Sequence, residues 1–198
     1  MHFRSTRALP QQVLHSPYQR RALACLLAGT LLPACAPAPI FPPEVLDKVD
    51  RTVTFESLAA NPDHYQDRTV ELGGQIVGSI AEQDEVHMLV RALPIRTAPV
   101  YGPVDTGRLN GMFVIRYRGK IGAQDLQDGN MVVVIGAVAS SLTGTPVRRL
   151  TVTAECFHIW RTQGNPIDDF PWIVNARYWP LIQQTYCVNR PNILLPVS

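Results

Sequence analysis

The stretch RTVELGGQIVGSI, residues 68–80, decides the fold. Val70, Leu72, Gly74, Ile76, Gly78 and Ile80 fall on one face of an extended chain, and Thr69, Glu71, Gly73, Gln75 and Ser79 on the other, with Val77 alone breaking the alternation. Period-two patterning over so long a run defines a β-strand. A Gly-Gly pair in mid-strand weakens a flat sheet but suits a strand that bends sharply, as at a barrel corner.

Four more strands are expected downstream, over residues 86–92, 112–118, 130–140 and 147–161. The third of these contains MVVVIGAVA, residues 131–139, apolar on both faces, which requires cover on both sides. In the last, Leu150, Val152, Ala154 and Cys156 alternate with Thr151, Thr153 and Glu155, after which Phe157 and Ile159 take the opposite phase. Such a slip implies a bulge near Cys156 or a second apolar surface beyond it. Turn residues at 127–129 and 143–146 separate neighbouring strands closely enough for antiparallel pairing. Ahead of the first strand, Thr54 is placed to cap a short helix over residues 55–60, which Asn61-Pro62 stops. The link 94–111, with three prolines, reads as an ordered loop. Five strands, a glycine-kinked first strand and no long helix give a mainly β chain. The expected architecture is a five-stranded OB-like closed barrel with a short N-terminal helix and an aromatic C-terminal extension.

The chain has 198 residues, 46% hydrophobic and 17% charged, which excludes a disordered acidic tail and favours one folded domain. Its formal charge of +2 depends on Arg4, Arg7, Arg20 and Arg21 in the first 34 residues. Without them 14 of the 18 basic residues face 16 acidic ones, a net of −2. That balance argues against binding long nucleic acid, which needs a strongly basic face. Arg20 and Arg21 precede ALACLLAGTLL, residues 22–32, and then Pro33, Ala34 and Cys35. A basic start, an apolar run of this length and small residues at its end make a secretory signal. The run is too short for a membrane span, which takes roughly 20 residues. Leu32-Pro33-Ala34-Cys35 resembles a bacterial lipobox, whose cysteine is acylated and becomes the new N-terminus. The competing readings are an ordinary cleaved signal that contains a cysteine, or a buried apolar helix. Ala36 stands where an Asp favours retention at the inner membrane, so the outer membrane is the expected address. The sequence APAPIFPP, residues 36–43, reads as an extended tether. The segments are then 1–34 signal, 35–53 lipidated start and tether, 54–161 barrel and 162–198 aromatic extension.

Of four cysteines, Cys25 is lost with the signal and Cys35 is used for lipid. The remaining pair, Cys156 and Cys187, either forms a disulfide in an oxidising envelope compartment or stays as two buried thiols. No Cys-x-x-Cys is present and the five histidines show no ligand spacing, so no metal is expected.

The sequences TFESLAANPDHYQDRTVELGGQI (54–76), PVYGPVDTGRLNGMFVIRYRG (99–119) and LTVTAECFHIW (150–160) resemble the Slp family of starvation-associated outer-membrane lipoproteins. Asn61-Pro62, Tyr65 and Gly73-Gly74 at their mutual spacing are the most specific parts. The resemblance implies an acylated protein on the periplasmic face of the outer membrane, linked to starvation or envelope stress, without an established reaction. Only Cys35 carries a defined family role, as the lipid attachment site. Asp67 stands where the family pattern often has glycine, which predicts a strained turn.

Candidate chemistry is sparse. Asp168-Asp169 are adjacent loop residues that point apart, and Glu155 with His158 fall on opposite strand faces, so His158 reads as a structural histidine. Ser140-Ser141 lacks the strand-to-helix turn of a nucleophile elbow, and no phosphate-binding glycine loop is present. The expectation is a non-catalytic protein with no cofactor beyond the acyl lipid. An envelope enzyme acting on glycan or lipid is the alternative. Arg91, Arg116 and Arg118, extended by Arg148 and Arg149, form a basic strip across strands that commonly bind ligands in OB folds. The strip fits an anionic glycan or headgroup, or else is an ordinary solvated face. The stretch FPWIVNARYWPLIQQTY, residues 170–186, is dense in aromatics and needs a surface: its own barrel, a second protomer, or the headgroup region of the membrane.

Overall fold

The structure is a computed structural model that describes residues 39–98, 100–107, 111–139, 149–167 and 181–188. Among the described residues two short helices, α1 (Pro43–Leu46) and α2 (Phe55–Ala60), precede the strands β1 (Thr69–Glu82), β2 (Glu85–Leu93), β3 (Ile95–Arg96), β4 (Gly102–Pro103), β5 (Met112–Arg118), β6 (Met131–Ala139), β7 (Leu150–Trp160) and β8 (Gln183–Cys187). Helix α2 starts where Thr54 caps it: its side chain accepts from the Ser57 N–H, and the Ser57 hydroxyl accepts from the Thr54 N–H. Pro62 then opens a single 3-10 turn, Pro62–Tyr65. Asp67, which follows, takes φ +64° while its N–H bonds the Val138 carbonyl, so the left-handed turn is built here from an aspartate.

The main sheet runs β5-β2-β1-β6-β7-β8, and a parallel pairing of β5 with β7 closes the first five strands into a barrel. The ring is therefore β1-β2-β5-β7-β6, an OB-like closure. Strand β1 makes it possible by serving two partners, β6 along Thr69 to Gln75 and β2 from Gly73 to Glu82. Both partners are engaged at Gly73, Gly74 and Gln75, where the strand bends from one to the other. A Cβ on Gly74 would lie 2.3 Å from the Arg91 carbonyl oxygen, so glycine is the residue that admits the bend.

Two bulges set which residues face inward. On β1, Ile76 pairs with Val90 but Gly78 pairs with Leu89, so Val77 is the extra residue. The strict alternation expected for β1 put Gly78 and Ile80 on the core face. The bulge reverses the phase, and Ile80 pairs with His87 on the outside, 63% exposed. On β7, Ile135 pairs with Cys156 and Gly136 with Ala154, leaving Glu155 extra. The phase slip beside Cys156 is thus a bulge, and a second apolar surface lies beyond it as well.

Two cores result. The barrel interior holds Val70, Leu72, Ile76, Met88, Val90, Phe113, Ile115, Val132, Val134, Val152, Phe157 and Ile159. The outer cluster lies on the other face of β6 and β7, where Met131, Val133, Ile135, Cys156 and Trp160 meet Phe41, Val45, Leu93, Val100 and Ile167. Strand β6 is apolar on both faces because both are covered. Phe41 and Val45 are buried there, so the stretch read as a tether is already part of the fold from residue 40 onward. The loop after β2 contributes the two-stranded β3-β4 ribbon. Among the described residues no helix is long and apolar enough to cross a membrane.

Candidate functional site

The register of β2 with β5 brings the predicted arginines to one face. Val86, Met88 and Val90 on β2, with Phe113, Ile115 and Tyr117 on β5, point inward. Glu85, His87, Leu89 and Arg91, with Met112, Val114, Arg116 and Arg118, therefore point outward. The cations on this face are compensated. Arg116 Nε donates to Glu85 Oε1 at 2.8 Å, and His87 Nε2 lies 2.7 Å from the same oxygen. Arg91 Nη2 donates to Asp105 Oδ2 and to Gln75 Oε1, each at 2.7 Å. Hydrogen bonds from Arg116 and His87 hold the Glu85 carboxyl below the ordinary carboxylate range. Arg91, helped by the Gly107 N–H, does the same for Asp105. Arg118 stands apart, 81% exposed and 3.9 Å from Glu85 Oε2. Ile80 and Met112 add exposed apolar area beside these charges. Arg149 is exposed just before β7, and Arg148 lies outside the described residues.

A second constellation, which the sequence did not announce, sits where the β5-β6 connection meets the end of β7. Asp125 is buried and accepts from Arg161 Nε at 2.6 Å, from Arg161 Nη2 at 3.2 Å and from the Tyr186 hydroxyl at 2.6 Å. Asn130 Nδ2 donates to the carbonyls of Gln124 and Asp125, and Gln124 Oε1 accepts from Arg161 Nη1. Burial, reinforced by Asp125, pushes the Tyr186 phenol up to about 12. These groups come from three chain segments 36 and 61 residues apart. The only sequence signals were a charged Arg161 ending an apolar strand and a tyrosine before Cys187. The arrangement is a clamp: every strong donor and acceptor named is turned on another member of the set.

His158 is likewise committed. Its Nδ1 lies 2.7 Å from Thr185 Oγ1 and its Nε2 3.2 Å from Gln183 Oε1. An amide oxygen only accepts, so Nε2 carries the proton and Nδ1 accepts from the Thr185 hydroxyl. The ring packs edge-on against Trp160 and Phe41, and burial lowers its pKa to about 4. Glu155 is engaged elsewhere, by Lys48. Cys156 and Cys187 face each other in register between β7 and β8, with their sulfurs joined at 1.98 Å across 31 residues of chain. Among the described residues no group of acids, histidines and cysteines is arranged to hold a metal ion. Cys35, Asp168, Asp169, Ser140 and Ser141 lie outside the described residues, as does most of the aromatic stretch 170–186.

The fold defines a class: a small OB-like closed barrel with an apolar interior and a second apolar cluster on its outer face. The profile of the Outer membrane lipoprotein Slp family matches residues 32–186, and the chain belongs to that family. It is therefore an outer membrane lipoprotein. No curated protein matches the chain significantly.

Proposed function

We propose that the protein is a non-catalytic lipoprotein, acylated on Cys35 and facing the periplasm, that serves envelope maintenance under starvation or stress by binding or scaffolding. The observation that carries this reading is how the barrel spends its polar groups and its interior. Met88, Phe113, Ile115, Phe157 and Ile159 fill the inside with no exposed surface. The groups that could exchange protons, His158, Asp125, Tyr186 and Glu85, are tied to partners within the chain. A catalytic site needs convergent polar groups left free to meet a substrate in a pocket. Among the described residues, the outer face of β2 and β5 is the surface this reading assigns to an interaction, and Arg118 is its least committed cation. Its partner on this reading is an envelope protein or an anionic glycan.

The test is expression of the full chain in a Gram-negative host, membrane fractionation, and intact mass with and without reductant. An outer-membrane product that starts at an acylated Cys35 and gains two hydrogens on reduction supports the anchor and the disulfide together. A soluble, unmodified product overturns the anchor. For the binding role, retention on immobilised anionic envelope glycan is compared between the wild type and the Arg116→Ala, Arg118→Ala double variant. Unchanged retention removes the arginines from the proposal.

A further inference from the structure

We infer that a second copy of this chain docks on the outer face of β1, β2 and β5, the two sheets meeting about a two-fold axis that runs along β2. The inference rests on the reading of this face as an interaction surface and names its partner. The registers place Gly78, Leu89 and Val114 in one row across the three strands. Val77, Ile80 and Met112, 36%, 63% and 39% exposed, border that row, so the middle of the face is apolar. Glu82, Glu85 and Arg118 form a charged row at the hairpin end. There Glu82 and Glu85 are directly paired, two like charges side by side, which costs stability. Glu85 is offset by Arg116 and His87, whereas Glu82 is exposed and has no ion pair among the described residues. At the other end of the row Arg118 is 81% exposed and only 3.9 Å from a carboxylate that already serves Arg116.

This charge pattern is self-complementary. A two-fold axis along β2 keeps each row and reverses the order of its strands, so that β1 of one copy lies over β5 of the other. Arg118 is then carried onto the Glu82–Glu85 end of the second copy, and by symmetry the contact forms twice. The apolar rows meet between these contacts, giving an apolar centre and a charged rim. Sheets packed face to face lie ~10 Å apart, a gap that arginine and glutamate span together. A polyanion on the same face would meet both carboxylates, so a partner carrying both signs fits better. From Gln75 to Glu82 and across three strands ~4.8 Å apart, the face offers on the order of 400 Å² per copy, roughly 800 Å² in all. That is the size of a weak, transient contact.

Sedimentation velocity of the full-length protein in a non-ionic detergent, from low micromolar to near-millimolar concentration, tests this. A dimer that is half formed in the high-micromolar range is expected. Glu82→Arg sets a second cation against Arg118 of the other copy, and Arg118→Glu sets a third carboxylate against the acidic pair. Each reversal should raise the dissociation constant about tenfold or more, and the double variant should recover most of that loss. Both positions are exposed, so the variants should melt with the wild type. A wild type that stays monomeric throughout overturns the inference. So does a dimer that neither reversal weakens, or one that the double variant fails to restore. Retention of the same samples on immobilised anionic envelope glycan separates the two levels. A monomeric wild type whose retention falls with Arg118→Glu overturns the second copy and keeps the face as an interaction surface. A wild type both monomeric and unretained overturns that reading as well.

Discussion

Replacing Gly74 with alanine isolates the step that lets β1 turn from one partner to another. Gly74 is paired with Ala92 of β2 and with Val132 of β6 at the same time. An added Cβ would lie 2.3 Å from the Arg91 carbonyl oxygen and 2.4 Å from Val90 Cγ1, about 1 Å inside the 3.4 Å at which ordinary contact begins. Val90 can change rotamer, but the oxygen is backbone in a strand held on its other edge by β5. Relief therefore requires β2 to move or β1 to straighten. Overpacking of this kind costs typically 1–3 kcal/mol, and a rigid obstacle puts Gly74→Ala at the upper end, about 3 kcal/mol. At roughly 2–4 °C per kcal/mol for a domain of this size, the melting temperature should fall by about 6–12 °C. Gly78 provides the control within the same strand, since a Cβ there meets nothing within 4 Å. Gly78→Ala should be neutral or raise stability by about 0.4–1 kcal/mol through the unfolded chain. Scanning calorimetry on the two variants and the wild type reads the contrast. A Gly74→Ala protein that melts as high as Gly78→Ala would refute the account of the bend.

His158 predicts an acid-side loss of stability. Its folded pKa, about 4, lies below the ordinary 6.5, so between these values the unfolded chain binds more protons than the folded one. Stability therefore falls as pH drops from about 6.5 to 4, by on the order of 3 kcal/mol, and His158→Gln should flatten urea-denaturation stability across that window whatever its own cost. Replacing Cys156 and Cys187 together with serine opens a crosslink spanning 31 residues, which chain-entropy reasoning values at about 3–4 kcal/mol. The urea midpoint of the double variant should match that of reduced wild type. Asp125→Asn leaves Arg161 and Tyr186 facing a neutral amide, at an expected cost of about 2–4 kcal/mol given that Arg161 keeps some water; thermal melts of Asp125→Asn and of Tyr186→Phe, which loses one hydrogen bond only, should rank in that order. Asp67→Gly removes a left-handed penalty of about 1–2 kcal/mol against a smaller unfolded-state entropy loss, so its melting temperature should rise by a few degrees, roughly 1–3 °C.

The strands were legible because their burial is periodic. Alternation in β1, β2 and β5, and the two-faced apolar run of β6, follow directly from which sides are covered, and Thr54 with Pro62 bounded α2 by local chemistry alone. The bulges were half legible. At Glu155 the flanking residues are large and apolar in both phases, so the slip shows; after Val77 the next residues are Gly78, Ser79 and Ile80, too few and too small to reveal that the phase had reversed. The Asp125 clamp was not legible, since its members are distant in sequence and each, taken alone, is an ordinary loop or strand-end residue. The compensation of Arg116 by Glu85 was hidden for a related reason: it depends on cross-strand register, which one residue of slip would have reversed.

The outer cluster explains why the chain spends residues on a second core outside a closed barrel. A closed barrel has no free edge and needs no cover on β6 for its own pairing. Yet Met131, Val133 and Ile135 are as apolar as the interior, and what covers them includes Phe41 and Val45 and the strand that Cys187 holds to Cys156. His158 joins the two, packing against Phe41 on one side and bonding Thr185 and Gln183 of β8 on the other. Phe41 and Val45 thus hold to the barrel at the same place where the disulfide resists the peeling of β8. Destabilising that cluster should loosen Phe41 and Val45 from the barrel before the interior core melts.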